Sequence, residues 1–171
     1  SQLFAWVKSE GLTLTRSGLI VGYKGVTDDY RSVSSGVEPV TVTLKDGTSS
    51  VQTGQITYPI GSTATIPREL VDDNRDAHCS VGLHVGTFGY AKSFGSRTLL
   101  VLVDPADVVS VPRDANGQKM RVSRFVVSSE HTGDKIAKSV AKVADPSRGR
   151  RAPKSDAGSS HRGKRLSSRR S

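Results

Sequence analysis

Gly82-Leu83-His84-Val85 and Thr98-Leu99-Leu100-Val101-Leu102-Val103 are two strand-length segments, separated by Phe88 to Phe94, a stretch able to form a short helix closed by Gly95. The second segment is a continuous apolar run, the pattern of a central strand covered on both faces. Just upstream, Cys79-Ser80-Val81 places the only cysteine of the chain close to a glycine-flanked histidine, His84. Strand, helix, strand is therefore the expected local order.

Leu19 to Val26, apolar and β-branched around Tyr23 and punctuated by Gly18 and Gly25, reads as another buried strand. Val40 to Leu44 alternates Val and Thr, Lys45-Asp46-Gly47-Thr48 supplies a turn, and Val51 to Tyr58 returns as its partner. Thr63 to Ile66 stops at Pro67, with one helical turn expected over Arg68 to Val71 before the polar Asp72-Asp73-Asn74-Arg75-Asp76 loop. Val108 to Val111 is a short strand ended by Pro112, and Met120 to Val127 alternates as one half-buried strand. Helices are expected over Leu3 to Val7 before Gly11, and over Lys135 to Val143, where Ile136, Val140 and Val143 share a face. These elements predict an α+β fold: one compact domain with a mixed or mostly antiparallel sheet of five to seven strands and two or three short helices.

Residues 1–145 form that expected domain, and 146–171 a basic tail. The tail holds nine Lys/Arg against one Asp, a net of +8 out of the chain's formal +9. Rich in Ser, Arg, Lys and Gly, it buries too little apolar surface to offset its ordering entropy and is expected to be disordered on its own. Arg148, Arg150, Arg151, Lys154, Arg162, Lys164, Arg165, Arg169 and Arg170 would hold nucleic acid or another polyanion through counterion release. Lacking Phe, Tyr and Trp, the tail offers no stacking platform, so such binding would be blind to sequence. The bland alternative is a solubilising segment. A single cysteine excludes an internal disulfide and fits a reducing compartment. No apolar stretch is long enough for a membrane-spanning helix. A start on Ser1 suggests a processed chain or part of a longer one.

Cys79 with His78 or His84 raises a thiol nucleophile and imidazole base. Five residues of extended chain span roughly 17 Å, so Cys79 and His84 meet only across a sharp turn. A lone cysteine more commonly behaves as a small buried hydrophobe, and His84 has a bland reading as a core histidine satisfied by backbone. Asp72, Asp73 and Asp76 lack the ligand alternation of a calcium loop and read as solvated acids, so no metal site is expected.

Several motifs occur in one order: Gly18-Leu19-Ile20-Val21-Gly22-Tyr23-Lys24-Gly25-Val26, Asp28-Asp29-Tyr30, Pro67 to Asp73, Cys79 to His84, and Asp104 to Pro112 followed by Asp114, Asn116, Lys119 and Arg121. This succession, over roughly Leu3 to Val127, resembles the RIIB-like proteins of bacteriophages. The resemblance implies a phage accessory protein that acts by binding in the host cytoplasm during infection, with a phage or host protein as a further partner.

A second, partial resemblance centres on Gly82 to Val85. A Gly-Leu-His-Val strand, a helix carrying Tyr90-Ala91 and a following buried strand look like the part of the ADP-ribosyltransferase fold that builds a nicotinamide pocket. It implies NAD as cofactor, Lys24 at the first-motif position and His84 against the nicotinamide. The transition-state glutamate of that fold has no counterpart in Met120 to Val127, which offers Arg121 and Arg124, and Glu130 follows that strand. The candidate ligand residues are thus Tyr23, Lys24, His84, Tyr90, Arg121 and Arg124. Convergence of Lys24, His84, Arg121 and Arg124 would suit an anion, or phosphate-linked chemistry as in RNA 2'-phosphotransferases. A third reading is a virion structural protein with a genome-contacting arm.

Overall fold

In a computed structural model, which describes Leu3, Val7, Lys8 and residues 12–77, 80–112 and 117–132, the apolar run becomes strand β6, Arg97–Val103. Its two faces feed two clusters: Leu99, Val101 and Val103 enter the main core, whereas Leu100 and Leu102 pack with Val21, Tyr23 and Ala91. Successive side chains of a strand point to opposite faces, so burial on both sides requires the uninterrupted apolar sequence.

Around β6 stand β1 (Ile20–Val26), β2 (Gly36–Thr43), β3 (Ser49–Gly54), β4 (Thr63–Thr65), β5 (Leu83–Gly86), β7 (Val108–Ser110), β8 (Lys119–Val122) and β9 (Arg124–Glu130). They make a nine-stranded sheet in the order β3-β2-β4-β9-β6-β1-β5-β8-β7. Every pairing is antiparallel.

That order forces the sheet to curl. β9 and β8 stand four strand spacings apart, about 19 Å in a flat sheet. Only Ser123 separates them in sequence, and two residues of chain reach no further than about 7 Å. The sheet therefore rolls until β8 and β9 approach around the main core, with Ser123 as the corner. There Ser123 donates its N–H to the Asp107 carbonyl and accepts one from Ile66. Val40 and Val42 of β2 consequently join one cluster with Met120 and Val122 of β8.

This architecture corrects the expected α+β class. Besides the helical Leu3, Val7 and Lys8, the α-helical element among the described residues is the single turn and cap of α1, Phe88–Ala91, whose N-cap Thr87 accepts from the Tyr90 N–H. Arg68–Leu70 is a 3₁₀ turn, as is Pro105–Asp107, and the strands exceed the five to seven expected. The helix expected over Leu3 to Val7 falls mostly outside the described residues, and that over Lys135 to Val143 entirely so. Met120 to Val127 is not one strand: unbroken alternation conceals the corner at Ser123. Similarly, β3 ends at Gly54, and Ile56 and Thr57 leave the hairpin to bond Ser32 and bridge Arg31. No helix among the described residues is long and apolar enough to cross a membrane.

Candidate functional site

β1 is paired with β6 along its whole length, from Ile20↔Val103 to Val26↔Arg97, but with β5 only at Tyr23↔Gly86. Beyond that pair the two strands diverge, and the sheet forks. α1 and the turn after it close one side of the fork, which the glycines permit. A Cβ on Gly25 would stand 1.8 Å from the Phe94 carbonyl oxygen, and one on Gly86 would stand 2.8 Å from the Tyr90 ring. Only a residue without a side chain allows backbone to pass that close.

Lys24 is the first residue past the last β1–β5 pair. Its Nζ donates to the His84 carbonyl at 3.0 Å, taking an acceptor that a continued ladder would give to β1 backbone. The ammonium also lies 5.5 Å from the Tyr58 ring centroid and 5.8 Å from that of Phe125. Burial lowers its pKa to about 8, and none of the ion pairs among the described residues involves it. Along the fork runs a cavity of about 740 Å³, bounded by Tyr23, Lys24, His84 and Tyr90 together with the Ser32–Glu38 segment, Ile56, Tyr58, Leu83 and Phe94.

The His84 ring places Nε2 3.1 Å from the Ser80 carbonyl oxygen. A carbonyl can only accept, so the neutral ring carries its proton on Nε2. Burial first, then the charges of Lys24, Lys119 and Arg121, push its pKa down to about 4 despite that bond. His84 is uncharged at neutral pH and is no cationic anion donor. Tyr23 is buried edge-on against Phe88 and His131, and burial raises its hydroxyl pKa. Tyr90 packs on Phe94.

The two predicted arginines do not line the cavity. Arg121, 1 % exposed, donates through Nη2 to the carbonyls of Asn74 and Ala77, with Nη1 3.6 Å from Asp72 Oδ2. Asp72 is held below the usual carboxylate range by the Ser80 hydroxyl, the Asn74 N–H and Arg121. It is therefore a structural anchor rather than a solvated loop acid. Arg124 is exposed on β9, opposite Thr65. Four of the six ligand candidates, Tyr23, Lys24, His84 and Tyr90, thus share one cavity, and the two arginines do not join them. Of the expected grouping Lys24, His84, Arg121 and Arg124, β8 does bring Arg121 opposite His84, but its guanidinium is turned to Asn74, Ala77 and Asp72, while Arg124 lies on β9, four places away in the sheet order.

Glu130 ends β9 and is held by the Tyr30 hydroxyl at 2.8 Å and Arg97 at 2.9 Å, which lowers its pKa; it does not line the cavity. Cys79, His78 and the basic residues 148–170 lie outside the described residues. Among the described residues no His, Cys, Asp and Glu group is arranged to hold a metal. Tyr58, Phe125 and the Ser32–Val37 loop were not signalled by sequence. Their part in the site depends on the curl that brings β9 and the segment after β3 to β1.

The family described as "Bacteriophage T4 protein rIIB" matches residues 2–143. Protein rIIB of Enterobacteria phage T4 is 30% identical over 135 residues, which are 77% of this chain and 38% of that protein. The chain therefore spans well under half the length of this curated relative. No solved structure matches.

Proposed function

Because the chain belongs to the bacteriophage rIIB family, we propose that it is an accessory protein of infection that acts by binding, its segment 146–171 contacting nucleic acid or another polyanion. The carrying observation is how the positive charge is spent. Arg31 is paired with Asp29, Arg97 with Glu130 and Arg121 with Asp72, while Arg68 and Arg75 serve backbone carbonyls. Residues 146–171 carry +8 with a single acid, Asp156. A polyanion gains most where cations are not already neutralised. The reading places the protein in the host cytoplasm during infection, near nucleic acid and within reach of a phage or host protein partner.

Fluorescence anisotropy with labelled duplex DNA and single-stranded RNA tests it. The full chain is compared with a full-length variant in which all nine basic residues of 146–171 are replaced by Gln. Engagement of six or more phosphates should weaken binding on the order of a thousandfold between 50 and 200 mM salt, equally for unrelated sequences. The neutralised variant should lose that binding. Retained, salt-steep affinity in the variant would overturn the assignment to this segment. Abundance in purified phage particles would instead favour the virion reading.

A further inference from the structure

We infer that the forked cavity is a binding site for a small amphipathic monoanion, a carboxylate on a ring-sized apolar body, with the Lys24 ammonium pairing its head group. This inference does not depend on the basic segment.

Three observations carry it. The first is an uncompensated charge. An ammonium has three donors, and Lys24 uses one, on a neutral carbonyl. Glu38 also lines the cavity but forms no ion pair with Lys24, and Lys119 has an interaction of its own. Holding a cation out of water without a counter-charge opposes folding. The second is the space itself. About 740 Å³ lies within the range of small-molecule sites, and Val40, Ile56, Tyr58, Ile66 and Leu83 give it largely apolar walls. Lys24 is enclosed by protein yet keeps accessible surface, which belongs to the cavity wall. The third is the mouth, where Val33, Val37 and Phe94 are 45%, 88% and 43% exposed. Three large apolar groups in water at a cavity entrance suit a ligand with an apolar body.

Charge balance sets the class. His84 is neutral, and the charged side chains lining the cavity, Lys24, Lys119 and Glu38, leave a net single positive charge, so one negative charge is what a ligand supplies. A phosphate dianion would keep a charge unmatched in the apolar site. The Tyr58 ring beside Lys24, with Tyr90 and Phe94 on the wall, favours a flat ring as the body.

Calorimetric titration of the full chain with naphthalene-2-carboxylate, naphthalene-2-carboxamide and 2-naphthyl phosphate tests the proposal. The carboxylate should bind at least tenfold more tightly than either analogue, and Lys24→Met should abolish that preference. A second measurement uses the unaltered protein, so that it does not depend on how the variant folds. Reductive methylation of Lys24, followed by mass spectrometry, should slow at least fivefold when the carboxylate is present. Equal affinity for carboxylate and carboxamide, tighter binding of the phosphate, absence of binding, or unprotected Lys24 would each overturn the inference.

Discussion

Two cations on neighbouring parts of the sheet, half-buried Lys24 and fully buried Arg121, differ in their surroundings. Arg121 has Asp72, Asn74 and Ala77 arranged about its guanidinium, so the loop before β5 is tied down across β8. Lys24 has one carbonyl and two aromatic rings, and it faces a cavity. Arginine's planar fork suits simultaneous bonds to fixed carbonyls, whereas a lysine ammonium is a point charge that can turn toward a ligand. A compensated buried charge holds a fold together; an uncompensated one costs stability, and the compensating gain is then sought in binding.

The sharpest way to break this contrast is Arg121→Met. It leaves Asp72 and two carbonyls without their partner, and it should destabilise the protein by about 3 kcal/mol or more in urea titrations. Gly25→Ala should come next, at roughly 1–3 kcal/mol, since the new methyl meets the Phe94 carbonyl and must displace the turn that closes the fork. Loss of carboxylate binding in that variant, with Arg121 unaltered, would separate the fork from the anchor.

His84 sharpens the contrast through pH. The unfolded chain takes up a proton near pH 6.5 that the folded ring refuses until about pH 4, so stability should fall as pH drops through that window. His84→Gln, whose amide can still donate to Ser80, should remove on the order of 1 kcal/mol of that loss, read from melting temperatures at pH 7 and 4.5. Lys24→Met should have the smallest effect and the opposite sign, stabilising by on the order of 1 kcal/mol at pH 7. In the unaltered protein the folded Lys24 releases its proton near pH 8 and the unfolded one near 10.5, so stability should rise across that interval. The variant should lack that rise in denaturant midpoints measured at pH 8 and 10.

Much of the sheet was legible from period-two patterning. Leu99 to Val103 declared a doubly buried strand, and Gly18 and Gly25 bracketed β1 to within two residues. The helical content was overestimated: Arg68 to Val71, read as a helical turn, is a 3₁₀ turn in which the Leu70 and Val71 N–H groups donate to the Pro67 and Arg68 carbonyls. Of the candidate site, Tyr23, Lys24, His84 and Tyr90 were named from sequence and do share a cavity. Arg124 was grouped with them through one assumed strand that the structure bends at Ser123.

From the sequence by itself follow the strand positions, the lone cysteine and the concentration of charge in 146–171, all of which depend on residue identity and near neighbours. Whether a lysine is compensated depends on groups far along the chain. Lys24 meets the carbonyl of a residue sixty positions away and the rings of Tyr58 and Phe125. Those meetings exist because a nine-stranded sheet in which β8 and β9, four places apart, are joined through one residue must roll up. Local alternation carries no record of that closure, so only the tertiary structure decided which cation has an acidic partner and which faces an open cavity.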